Sequence, residues 1–147
     1  MIREFINIVE GLRVTDAWFE DDSFKAFKIP DKREPFEVAK DDGVIKTLEG
    51  PVKYNRGDYI MTGPKGEQYP ISPETFGKLK TDNGDRTASP KKIIKLAKMA
   101  DHNGEVTLQY NGSQLAYHKG EDVIVRHGEN DYGVVKKDIF AQTYEKV

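Results

Sequence analysis

Three histidines, His102, His118 and His127, are the side chains best suited to move a proton or hold a metal near neutral pH. A metal site needs imidazoles brought together, for instance one helical turn apart. Here they fall at a helix terminus, a strand end and a hairpin turn, which suits surface or capping roles. Only His118 and His127, able to approach each other across a hairpin, remain as a candidate pair. Among the serines, Ser72 and Ser89 each precede a proline at a helix start, where capping explains them. Neither they nor Ser23 and Ser113 sit in a glycine-flanked nucleophile elbow. The pairs Asp21-Asp22 and Asp41-Asp42 read as solvated turns. Thr62-Gly63-Pro64-Lys65-Gly66-Glu67 lacks the phosphate-loop pattern, and a hairpin turn accounts for its glycines. The chain has no cysteine, which excludes disulfides, thiolate metal sites and cysteine nucleophiles. No catalytic residue, metal or cofactor is assigned on this basis.

These residues are positioned by elements that the sequence shows twice. Tyr54, Gly57 and Tyr69 recur at one constant spacing as Tyr117, Gly120 and Tyr132, and Phe76 recurs as Phe140 one residue later. Each copy reads as a strand, a glycine turn with an acid, a second strand, a charged hairpin turn, a short strand and a brief helix ending in Phe. Asp58–Thr62 and Asp122–Arg126 carry the β-branched and aromatic residues strands prefer. Ser72-Pro73-Glu74 predicts a helix start by capping, first-turn proline and helix-dipole complementarity. Asn111-Gly112 predicts a hairpin between strands at Glu105–Tyr110 and Ser113–Tyr117. Two outlying helices are also expected. One covers residues 2–10, with Ile2, Phe5, Ile6 and Val9 on one face. The other runs from Ser89-Pro90 to Ala100, with Lys91, Lys92, Lys95 and Lys98 largely opposite its apolar face.

A stretch with Leu48-Glu49-Gly50, Arg56-Gly57-Asp58-Tyr59-Ile60, Lys65-Gly66-Glu67 and Tyr69-Pro70, closing on Asp138-Ile139-Phe140 and Thr143-Tyr144-Glu145, resembles a small family common in phage, prophage and bacterial genomes. That resemblance implies a setting and no activity. Arg56 stands where the family usually has proline, and Gly120-Glu121-Asp122 replaces its Gly-Asp-Tyr.

The expected architecture is therefore α+β. It has two diverged copies of a β-rich strand-turn-strand-helix unit, over residues 1–80 and 81–147, joined by the lysine-faced helix and able to pack as one domain. A formal charge of −2 and a lysine face without interleaved aromatic residues argue against nucleic acid. No apolar run reaches the roughly 18 residues of a membrane span, and a cytoplasmic protein without an anchor is expected. The favoured role is a non-catalytic binding or interaction module, with a protein or small-molecule partner and an oligomeric state the sequence leaves open. The rival is an enzyme or binding protein for a small phosphorylated or nucleotide ligand in the groove between the units. Arg56, Asp58, Lys65, Glu67, His118 and His127 would line that groove.

Overall fold

The computed structural model describes residues 13–109 and 112–147. The helix expected over residues 2–10 lies outside them, as do Tyr110 and Asn111. A short 3-10 helix spans Asp16–Glu20. In chain order the strands of the first half are β1 (Phe24–Lys28), β2 (Glu34–Val38), β3 (Gly43–Thr47), β4 (Gly50–Tyr54), β5 (Tyr59–Thr62), β6 (Gln68–Ile71) and β7 (Lys80–Asp82). Those of the second are β8 (Thr87–Pro90), β9 (Lys95–Met99), β10 (Gly104–Thr107), β11 (Gln114–Tyr117), β12 (Asp122–Gly128), β13 (Asp131–Lys136) and β14 (Tyr144–Lys146). Two short helices, α1 (Pro73–Leu79) and α2 (Lys137–Thr143), precede β7 and β14. The protein is thus β-rich, with its strands divided among several small sheets.

One five-stranded sheet has the order β6-β5-β2-β8-β7, and the other has β13-β12-β9-β1-β14. Position by position, each sheet takes the corresponding strand of its own half, except at one place. There β8 completes the first sheet and β1 completes the second. Glu34 lies opposite Ala88 in one sheet, and Lys95 lies opposite Ala26 in the other. The proposed boundary between residues 80 and 81 is therefore crossed in both directions. The remaining strands form two hairpins, β3-β4 and β10-β11.

The glycine turns match in detail. Gly57 N–H donates to Ala39 O at 2.8 Å, and Ala39 N–H donates to Asp58 O at 2.8 Å. Gly120 N–H donates to Ala100 O, and Ala100 N–H to Asp122 O, both at 2.9 Å. The buried Asp58 and Asp122 carboxylates close these turns by accepting from the N–H groups of Asn55 and His118 at 2.8 and 2.7 Å. Gly57 has φ +92° and Gly120 has φ +73°, a region that side chains disfavour. Alanine at either position should cost about 1 kcal/mol or more. Unchanged urea midpoints for both variants would refute this.

Ser72 caps α1 as expected, its Oγ accepting from Thr75 N–H at 3.1 Å, with Pro73 in the first turn. Phe76 then packs with Met61 and Ala88 against one face of the first sheet, and Phe140 of α2 packs with Ala26, Ala97 and Val125 against one face of the second. A third cluster covers the other face of the second sheet. It joins Trp18 and Phe19 of the 3-10 helix to Tyr117, Ile124 and Tyr132, and draws Val52 from the β3-β4 hairpin.

Two expectations are overturned. The linking amphipathic helix over Ser89–Ala100 does not form; its ends are β8 and β9. Strand β9 carries the Phe140 cluster on one face and the Trp18 cluster on the other, so neighbouring residues are covered alike, with Ala97 at 0% and Lys98 at 6% exposure. A strand covered on both faces loses its alternation, and its apolar residues then mimic a helical stripe. Lys98 does not join a solvated face: its Nζ donates to Trp18 O at 2.8 Å and stands 4.3 Å from the indole centroid. Lys91 and Lys92 are exposed.

The second correction concerns Tyr132. Tyr69 lies opposite Met61, whereas Tyr132 lies opposite Arg126, and Gly133 takes the place opposite Val125. The extra residue Glu121 in the second glycine turn shifts everything after it by one, so the two tyrosines point to opposite faces. Tyr69 joins the cluster of Phe76, and Tyr132 joins that of Trp18 instead of that of Phe140.

Candidate functional site

Two polar constellations stand out. The first borders a cavity of about 580 Å³ beside β10. Val106, Tyr117 and Tyr132 form its floor, and the exposed Arg13, Glu105 and Asn130 form its rim. Gly104 lies beneath the Tyr117 ring, where a Cβ would overlap the phenol. Below the floor runs a hydrogen-bonded chain. His102 Nδ1 is 2.6 Å from Asp101 Oδ1, and Tyr117 OH is 2.5 Å from His102 Nε2. A carboxylate only accepts, so Nδ1 carries a proton and donates it to Asp101. Trp18 Nε1 also donates to Asp101 Oδ1, at 3.2 Å. Burial tends to raise the Asp101 carboxyl, but the His102 and Trp18 bonds and the charge of Lys98 outweigh it and hold the group below its usual range. Beside them Asp16 accepts from Arg126 Nε at 3.0 Å and Tyr132 OH at 2.6 Å. Those bonds, Arg126 first, hold its carboxyl down to about 2. Tyr117 and Tyr132 are 2% and 7% exposed, so these networks fix an aromatic floor and present no free nucleophile.

The second constellation lies where the helix-covered faces of the two five-stranded sheets meet. Glu34, 6% exposed, accepts from Tyr69 OH at 2.6 Å through Oε2. Its Oε1 faces Lys80 Nζ at 3.4 Å and, from the other sheet, Lys28 Nζ at 3.7 Å. Lys28 Nζ also donates to Tyr69 OH at 3.4 Å and stands 5.9 Å from the Tyr144 ring centroid. Lys95, the residue in the second sheet at the position of Glu34, has its Nζ 2.8 Å from His127 Nδ1. Burial and then Lys28 push Lys80 down to about 7 despite Glu34. Lys28 itself is driven up: burial opposes its charge, but Tyr69, Tyr144 and Glu34 outweigh that. Burial pushes Glu34 up, but Lys28, Lys80 and the Tyr69 hydrogen bond together outweigh it and lower the group. Packing and then Lys28 push Lys95 down to about 8, with Asp131 opposing. Crowding around the His127 ring, then Lys95, Lys28 and Lys80, push its imidazole down, although the residue itself is exposed at the surface. It is therefore neutral and accepts from Lys95.

The residues expected to line a groove are spread out. Arg56 is exposed, and its N–H donates to Asp42 Oδ1 at 2.7 Å. Asp58 is buried in its own turn at the start of β5. Lys65 and Glu67 lie in the turn after β5, where Lys65 N–H donates to Glu67 Oε1 at 2.8 Å and the Lys65 amine pairs with Asp138 of α2. His118 and His127 stand at opposite ends of β12; His118 faces Asp122 at 3.5 Å. Glu67 alone of the six borders a second cavity, of about 460 Å³ against β3. Sequence reasoning missed Lys28, Glu34, Tyr69, Lys80 and Lys95 as a group because they are scattered along the chain. A signal was present in the strands: Glu34 is two residues before Phe36, and Lys95 two before Ala97, which puts each charge on a core-facing side.

Among the described residues no group of three or more His, Asp or Glu side chains is placed to hold a metal, and no helix is long and apolar enough to cross a membrane. A family model described as PGDYG protein matches residues 50–145, which is most of the chain. The chain belongs to the PGDYG protein family. The PGDYG match begins at β4, includes both glycine turns and both helices, and ends in β14. No curated protein and no solved structure matches the chain.

Proposed function

We propose that this PGDYG family member is a non-catalytic binding module, of phage-like or bacterial accessory character, built from two diverged copies of one β-rich unit. The repeated strand order and the paired glycine-turn bonds support common descent of the halves. The cavity over Tyr117 and Tyr132 carries the binding assignment. Its size falls in the range typical of small-ligand sites, and an apolar aromatic floor with a few polar rim groups is their usual make-up. Beneath it Asp101, His102 and Tyr117 bond to one another, which makes the floor rigid and leaves no group poised for attack.

A thermal-shift screen of the full chain against metabolites, peptides and nucleic acids tests this. A ligand at about 100 times its dissociation constant adds about 2.7 kcal/mol of stability. The bound compound should be recovered chemically unchanged, and Arg13→Ala or Glu105→Gln should weaken its effect. Conversion of the compound during incubation would establish an enzyme instead.

A further inference from the structure

We propose that the junction of the two five-stranded sheets is a seat for a small oxyanion, a phosphate or the phosphoryl group of a larger molecule, gripped by Lys28, Lys95 and His127 with Lys80 behind them. This site is separate from the aromatic cavity and does not depend on it.

The argument is one of unmatched donors. Both oxygens of Glu34 are occupied, Oε2 by the Tyr69 phenol and Oε1 by the amines of Lys80 and Lys28. Lys95 is left with only the neutral Nδ1 of His127, at 2.8 Å, and forms no ion pair among the described residues. An ammonium carries three donors and seeks oxygen acceptors, and a partly desolvated one without them is costly. Cross-strand pairing fixes the convergence. Lys95 lies opposite Ala26 on β1, two residues from Lys28, and Lys28 lies opposite Tyr144. The entrance is on this side: His127 is exposed and Lys28 keeps 24% of its side-chain surface, while Lys80 keeps 3%. A tetrahedral oxyanion supplies several acceptors at once, and charge-assisted bonds to it are the strong kind.

The groups facing the seat from each element are Lys28 on β1, Glu34 on β2, Tyr69 on β6, Lys80 on β7, Lys95 on β9, His127 on β12, Asp131 on β13 and Tyr144 on β14. Two of the amines sit low, Lys80 at about 7 and Lys95 at about 8. An anion favours their charged forms, so binding takes up protons and tightens as pH falls from 9 to 7.

Sulfate is the diagnostic probe because it does not titrate in this range. In the full chain at constant ionic strength, sulfate in place of chloride should raise the melting temperature, and more at pH 7 than at pH 9. In the unmodified protein the His127 ring proton resonances should move during the titration. In Lys95→Met both responses should disappear while circular dichroism stays that of the parent. Phosphate should act like sulfate; a phosphomonoester binding at least as tightly identifies a phosphoryl-bearing ligand as the source, and a weaker one identifies free phosphate. Equal stabilisation by chloride, an undiminished sulfate shift in Lys95→Met, or a His127 ring unmoved by sulfate would each overturn the proposal. If Lys95→Met does not fold, the His127 titration of the parent decides alone.

Discussion

Glu34→Ala is expected to destabilise the protein by about 3–5 kcal/mol at neutral pH, the usual cost of removing one partner from a buried charge cluster. Among the described residues Glu34 is the one carboxylate paired with both Lys28 and Lys80, and Lys80 has almost no contact with solvent. Without it two amines face each other in a dry setting, and Tyr69 loses its acceptor. The pH profile distinguishes this mechanism from a simple cavity. Lys80 sits at about 7 in the folded protein against an ordinary 10.5, so the folded state binds fewer protons than the unfolded one across that window. Stability from this group therefore rises from pH 7 towards pH 10. Removing Glu34 takes away the charge that holds both amines up, pushing Lys80 lower still and undoing the rise of Lys28, so the gap between parent and variant should narrow at pH 10. On the acid side the lowered Glu34 stabilises the parent above the unfolded carboxyl value, and that contribution is lost as pH falls through the folded value. Urea denaturation of both proteins at pH 7 and pH 10 tests the effect; a pH-independent gap would mean that the lost packing, not the charge, matters.

Phe140→Ala should cost a similar amount, about 3–5 kcal/mol, by a different route: lost transfer energy plus the cavity left behind. Phe140 is 8% exposed, stacks on Tyr144 at 4.5 Å and meets Phe24 edge-on at 5.8 Å. Phe24 belongs to β1 and Tyr144 to β14, so the ring fastens the donated strand and the last strand to α2. Its counterpart Phe76 stacks on Tyr59 at 4.0 Å, and Phe76→Ala should have a comparable effect. Denaturant midpoints within experimental error of the parent for both variants would contradict the assignment of these rings to the core.

Legibility in the sequence followed locality. The Ser72-Pro73 helix start, the two glycine turns and the buried Trp18 rest on contacts within a few residues or on plain hydrophobicity, and the structure has them. The segment from Ser89 to Ala100 defeated the same approach because its strands are set by partners far away, β8 by β2 and β7, and β9 by β1 and β12. A constant spacing of tyrosines was misleading for a smaller reason: the single residue Glu121 turns Tyr132 to the other face. The oxyanion seat was invisible because it is assembled from both sheets by register alone. The cavity floor combines residues 106, 117 and 132, which no local motif connects.

The reciprocal placement of β1 and β8 constrains how a ribosome can deliver this chain. Strand β1 emerges early, but its hydrogen-bonding partners are β9 and, more than a hundred residues later, Tyr144–Lys146. The first sheet likewise has a gap between β2 and β7 until Thr87–Pro90 has been made. The first half cannot close its sheet during synthesis of its own segment, and both edges of β1 stay unpaired until β9 and then β14 have been made. Such long-range pairing is slow, and exposed edges are where nascent chains capture one another. The same exchange that locks the halves of one molecule together is, at high synthesis rates, available to two molecules, each accepting the other's β1.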